Sequence, residues 1–322
     1  MVPPESISSA SDPRARPVLD WIFLVSALNF SFWSKYESPQ KRYAVQWREN
    51  WDIDSQPKHW DGYWSLLAAL NRALEDGIPI TDPTFYASET HCPDSLIAYI
   101  FRASASSMEH IPLLAERIKI MREDFSGSFQ SFVEHFVSRY EGKGTSLQIV
   151  QMVVETFPPF QDQFIFKGQQ VCFWKRAQIL IAETWAAFYP ASNSEAHPIL
   201  PGGIEELTMF ADYRIPQILH QLNIITYDAS LVDALTAHEY IESGSEREIG
   251  IRASSVLAVE ALRVEIIGIQ KKDTESRGDG VSSVLLDFFL WDLAKKIELG
   301  EEQLEISGVQ ELPAHRTRSI WY

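Results

Sequence analysis

Three carboxylates set in apolar or aromatic sequence are the residues best suited to chemistry. Asp212 lies in LTMFADYR (207–214), behind Met209 and Phe210 and ahead of Tyr213-Arg214. A carboxylate walled by hydrophobic side chains acts through a sharpened electrostatic effect, because little water screens it. The same residue could instead cap a helix opening near Arg214, or pair with Arg214. Asp287 and Asp292 lie in LLDFFLWDLAKK (285–296). On a helix, Asp287 and Trp291 are four apart and share a face, whereas Asp292 is displaced by one further residue. An aromatic plane flanked by two acceptors could stack on a heterocycle and accept from its ring or exocyclic N–H groups. The alternative is a core tryptophan, with the two acids paired to Lys295 or Lys296. Lys175 and Arg176 enter an otherwise apolar helix, where either could bind a phosphate or carboxylate or form a structural ion pair.

Other chemistries lack a handle. Neither a phosphate-binding glycine loop nor a dinucleotide-binding glycine fingerprint is present. The eight histidines are scattered, without a metal-binding spacing. No metal or organic cofactor is expected, since hydrolysis by an oriented water needs neither. The formal charge of −16 repels a long polyanion, so direct binding of polymeric nucleic acid is not expected. A single phosphate needs only one or two donors and is unaffected by that average. No stretch approaches a membrane span, and the first residues, MVPPESISSASDPRARP, lack the apolar segment of a secretory signal. Cys92 and Cys172 read as free thiols in a reducing compartment. Localisation is expected to be cytoplasmic, extending to the nucleus.

The elements that must position these residues are mainly helical. An apolar stripe from Val18 to Leu28 suits a buried helix, and alternation at Tyr43, Val45 and Trp47 suits a short strand. Residues 61–75 form a helix with Asp61 as a possible cap and Gly77 as a stop. Helical periodicity returns around 93–102, 111–124, 128–138 and 145–155. The block 171–188 is followed by a Pro- and Gly-rich loop at 191–203. A new helix opens near Arg214, and two long helices cover 246–269 and 281–297 around the polar loop KKDTESRGDG. The aromatic ending RSIWY adds a strand or plugs a core. Six of the ten tryptophans fall between Trp21 and Trp64, walling a pocket or packing a core. The expected organisation is a loose leader over 1–16 and one catalytic domain over 17–322. That domain could comprise two helical lobes, with 191–203 the best boundary.

Six of these segments carry a specific likeness. LNFSFW (28–33), GYWSLLAALNRALEDGIPITDP (62–83), VVETFPPFQD (153–162), FWKRAQILIAETW (173–185), LTMFADYRIPQIL (207–219) and LLDFFLWDLA (285–294) closely resemble the queuosine salvage protein family. The likeness extends from about Leu19 to Tyr322. It implies a mainly α fold, related to helix-hairpin-helix DNA glycosylases, with a few short strands. It also implies hydrolysis of the N-glycosidic bond of queuosine 5′-phosphate, releasing queuine for re-use in tRNA modification. Carried over onto matching positions, the family's catalytic aspartate is Asp212 and the preceding aromatic of its base pocket is Phe210. The groups contacting the deazaguanine are Asp287, Trp291 and Asp292. One departure is the short Pro/Ser-rich leader: longer members place a histidine-bearing segment there, and here no histidine precedes His59. The pocket is therefore expected to be more open on one side or closed by another residue. Two alternatives stand beside this activity: a glycosylase for another modified nucleotide, and a noncatalytic carrier of queuine or queuosine.

Overall fold

Apolar stripes and capped first turns account for most of the architecture. A computed structural model describes residues 7, 9–36, 38–50, 52, 54–123, 128–190, 197–200, 202–272, 280–304 and 308–322. They divide into two units, the first comprising Met1–Lys143 and Glu183–Ile199, the second Gly144–Ala182 and Leu200–Tyr322.

In the first unit, helix α1 (Arg16–Leu28) opens on Pro17 and buries every residue from Val18 to Leu28. Strands β1 (Ala44–Arg48) and β2 (Pro57–Asp61) pair antiparallel, with Val45 opposite Trp60. Helix α2 (Gly62–Glu75) follows; Asp61 precedes it but makes no side-chain cap bond. Helices α3 (Pro83–Tyr86), α4 (Asp94–Ile100), α5 (Leu114–Arg122) and α6 (Phe129–Arg139) complete the run. The fully buried Arg117 on α5 donates to the carbonyls of Leu28 and Phe30 and stacks on the Phe30 ring at 4.1 Å. It thereby satisfies backbone acceptors left over where α1 ends. Asp20 on α1 accepts the Phe129 N–H at the start of α6, at 2.7 Å.

The second unit begins with α7 (Ser146–Thr156), which carries a reciprocal capping box between Thr145 and Gln148. An antiparallel hairpin follows, β3 (Gln163–Phe166) with β4 (Gln169–Cys172), and then α8 (Lys175–Ala187), within which the unit boundary at 182/183 falls. Helices α9 (Arg214–Gln221), α10 (Ala229–Thr236), α11 (Glu246–Gln270) and α12 (Ser283–Glu298) close the order. Side chains of Asp228, Ser245 and Ser282 cap the last three, each replacing a lost intrahelical partner. Ile215, Ile218, Leu219, Val259, Leu286 and Leu290 form one buried cluster from α9, α11 and α12.

Among the described residues the fold is thus mainly α, with two short antiparallel sheets. Among the described residues no helix is long and apolar enough to cross a membrane. Several expectations change in detail. The leader is not loose throughout: Ala10 and Ala15 are buried, and Gln130 donates to the carbonyls of Ala10 and Asp12 at 2.7 and 2.8 Å. The block 171–188 is strand up to Cys172 and helix from Lys175. Tyr322 plugs a core at 2% exposure, while Arg316 forms a single parallel bridge with Tyr240. Residues 191–196, 201 and 273–279, inside the two expected loops, lie outside the described residues.

One backbone position should be intolerant of any side chain. Gly203 has φ +82°, and a Cβ there would sit 2.8 Å from Thr145 Cβ and 2.9 Å from Ser146 N, at the capped end of α7. Gly142 has φ +70° with open space around it. Gly203→Ala should cost roughly 3 kcal/mol of unfolding free energy in urea titration, and Gly142→Ala about 1 kcal/mol, because only the first adds overlap to left-handed strain.

Candidate active site

The second unit is organised around a buried arginine. Arg252 on α11 is fully buried, and its guanidinium grips the buried Asp162 with two bonds of 2.9 and 2.5 Å. Its Nε donates to the carbonyl of Ala211 at 2.9 Å, and Glu248 lies 3.4 Å from Nη1. The rings of Phe173 and Tyr322 lie over the guanidinium at 4.0 and 4.4 Å. Such a fork uses its donors while aromatic faces cover it, which offsets part of the cost of burying charge.

Asp162 passes this anchorage on. Its backbone carbonyl accepts the N–H groups of Phe173 and Trp174 at 2.9 and 3.2 Å, and its Oδ2 accepts the Lys175 N–H at 3.2 Å. Trp174 takes φ +50°, a left-handed conformation that a bulky side chain adopts only when its surroundings compel it. The backbone at the start of α8, from which the Lys175 side chain springs, is fixed by that aspartate. Ala211, held by Arg252 Nε, directly precedes Asp212.

Asp212 itself is half-buried. Its Oδ1 accepts the backbone N–H groups of Arg214 and Ile215 at 2.7 and 2.9 Å. The cap reading is therefore realised through the backbone, while the Arg214 side chain turns away to Glu298 at 3.2 Å. Oδ2 makes no hydrogen bond among the described residues. One oxygen is thus clamped against the start of α9 and the other is available.

Asp287 on α12 is buried, and its Oδ1 accepts the Phe210 N–H at 2.9 Å. It pairs with neither Lys295, which bonds Glu298, nor Lys296, which bonds Asp292. Burial first, and then the Asp212 carboxylate, push Asp287 well above the usual carboxylate range; the Phe210 N–H and the Lys175 ammonium oppose that rise. Phe210 is buried and meets Phe288 edge-on at 5.9 Å.

The residues singled out from sequence therefore separate. Asp212, Asp287 and Phe210 come together. Trp291 stays half-buried, packed against the same apolar cluster, with Lys295 Nζ 5.8 Å from its ring. Asp292 is 60% exposed and pairs with Lys296 at 2.9 Å. On this helix the paired-acid alternative thus describes Asp292 but not Asp287. Sequence reasoning missed Arg252, Asp162 and the special setting of Lys175. A signal did exist for the first: Arg252 interrupts the apolar and small string Ile249-Gly250-Ile251-Arg252-Ala253-Ser254-Ser255, four residues after Glu248. Among the described residues no group of three or more His, Cys, Asp or Glu is placed to hold a metal ion.

Residues 9–322 match the family model described as "Queuosine salvage protein". Three similar proteins bear the name queuosine 5′-phosphate N-glycosylase/hydrolase. That of Schizosaccharomyces pombe is 39% identical, covering 96% of this chain and 85% of its own length. That of Mus musculus is 36% identical over 94% of this chain and 82% of its own length, and that of Sphaerobacter thermophilus 36% over 97% and 83%.

The setting of Asp287 makes stability depend on pH with a defined sign. With its folded pKa above the unfolded 3.8, the folded state holds the proton more tightly, so this carboxyl's contribution weakens as pH rises from 3.8 through the folded value. Asp287→Asn keeps an acceptor for Phe210 and cannot ionise. Its unfolding free energy relative to the parent should increase across that interval and then level off, as measured by urea titrations at successive pH values.

Proposed function

The chain belongs to the queuosine salvage protein family, and from that premise we propose that it hydrolyses the N-glycosidic bond of queuosine 5′-phosphate to ribose 5-phosphate and queuine. The match along residues 9–322 carries this reading. The acid pair in the second unit supplies chemistry that suits it. We also propose that the helices follow the arrangement of helix-hairpin-helix DNA glycosylases, and that the protein works in the cytoplasm or nucleus on the free nucleotide rather than on intact tRNA.

Cleavage builds positive charge on the sugar as the base departs. Asp212 offers one carboxylate oxygen that makes no hydrogen bond among the described residues beside one locked to two N–H groups. In this reading the free oxygen faces the anomeric carbon and stabilises the oxocarbenium-like state, or attacks it to form a transient glycosyl-enzyme. Water completes either route. Position 7 of a deazapurine is carbon and takes no proton, so the departing base depends on contacts at its other atoms. Asp287 is proposed to read the guanine-like N–H edge. Burial disfavours its carboxylate, and two incoming N–H donors relieve that penalty, so recognition selects a base presenting them. Phe210 and Trp291 are proposed as apolar walls, and Asp292 as a second acceptor at the exposed margin.

Purified protein incubated with queuosine 5′-phosphate should release queuine, followed by mass. Asp212→Asn should slow turnover by about 100- to 1,000-fold with queuine affinity little changed; near-parental turnover would remove Asp212 from the chemistry. Asp287→Ala should instead weaken queuine binding by roughly 10- to 100-fold, measured by calorimetric titration, and unchanged affinity would refute its recognition role. Tight binding without release by the parent protein would favour a carrier.

A further inference from the structure

Lys175 is the one member of this cluster for which the function above has no use. Its side chain is 5% exposed, yet among the described residues its Nζ makes neither a hydrogen bond nor a salt bridge. A lysine in a largely buried position ordinarily pairs its ammonium with a protein acceptor, and this one is instead left for a group from outside the protein. Its backbone N–H is pinned by Asp162, which sets where the side chain starts. The carboxylates that draw on it electrostatically are Asp212 and Asp287, the pair assigned above to sugar and base. Arg176, next along α8, bonds the Pro159 carbonyl and lies against the Phe160 ring at 5.2 Å, so it meets a structural need that Lys175 does not.

Resting on the proposed glycosidase reading, we propose that Lys175 is a second catalytic residue, the acid that protonates the departing deazaguanine. As the C1′–N9 bond breaks, both its electrons go to the base, and a proton from Lys175 Nζ goes with them, leaving a neutral amine. The water oxygen then bonds to C1′, and the proton it sheds returns through Asp212 to the amine. The sum is one water consumed, one queuine and one ribose 5-phosphate formed. Asp212 meets the positive charge on the sugar, and Lys175 meets the negative charge on the base that no N7 can take up. Burial, the largest influence on Lys175, pushes its pKa down, while Asp212 and Asp287 oppose that shift; an ammonium so placed gives up its proton more readily than one in water.

The test compares the parent with Lys175→Met, which preserves length and apolar packing but removes the proton. Single-turnover release of queuine from queuosine 5′-phosphate should fall about 100- to 10,000-fold, while the queuine dissociation constant changes by less than about threefold, a difference of some 0.6 kcal/mol. Release within about threefold of the parent, on that same scale, would overturn the proposal. So would a loss of affinity as large as the loss of rate, since Lys175 would then be a binding group only. Lys175→Ala supplies a second readout: ethylamine added to the assay should restore part of the lost rate in proportion to its concentration. Should Lys175→Met fail to fold, that restoration decides alone, and its absence overturns the proposal. Failure of the parent to release queuine sinks the glycosidase reading itself, a result distinct from fast release by Lys175→Met.

Discussion

The bidentate ion pair between Arg252 and Asp162 is the constraint on which the candidate site rests. Removing either partner would leave an uncompensated charge in a dry interior, at a cost of about 3–5 kcal/mol. The guanidinium fixes the carbonyl just before Asp212, and the carboxylate fixes the N–H that starts the Lys175 turn. The Phe173 and Tyr322 rings both pack on the guanidinium, so the last residue helps cover the ion pair. His315, buried beside Tyr322 and sharing a hydrogen bond with its hydroxyl at 3.0 Å, is driven down to about 3 by burial and then by the nearby Arg252 charge. It therefore sits there as a neutral imidazole and adds no further cation to the cluster.

Around that frame, two acids of one chemical type are given different settings. Asp212 is half-buried and held by the first N–H groups of α9, where the helix dipole favours negative charge. Asp287 is buried with a single backbone donor and a carboxylate for a neighbour. Burial raises the Asp287 carboxyl above the usual carboxylate range, while Asp212 is clamped by two backbone N–H groups, so one site offers two differently held acids. Lys175 adds a cation whose charge both acids draw on.

Much of this was legible in sequence where the information is local. Apolar stripes and Ser, Thr or Asp caps give the long helices within a residue or two, and Asp212 and Asp287 stand out as acids in apolar strings. What was hidden is either long-range or angular. Arg252 and Asp162 are 90 positions apart, and no single-sequence pattern pairs them. The β3–β4 hairpin was missed because Phe164-Ile165-Phe166 is continuously apolar; its turn shows only in Lys167 and Gly168, at φ +49° and +78°. Asp292 follows Asp287 by five residues, about 140° around the helix, so the two acids cannot share a face even though one short string holds both. Sequence spacing suggested a pair of acceptors, and helix geometry divided them between core and solvent.

Deuterium at C1′ of queuosine 5′-phosphate reports directly on the central claim, that this site breaks a glycosidic bond through a positively charged sugar. Single-turnover release of queuine from the labelled and unlabelled nucleotide should show a normal secondary isotope effect, with the unlabelled compound faster, because the anomeric carbon flattens as charge builds. Binding of both compounds with no queuine released would contradict the account outright.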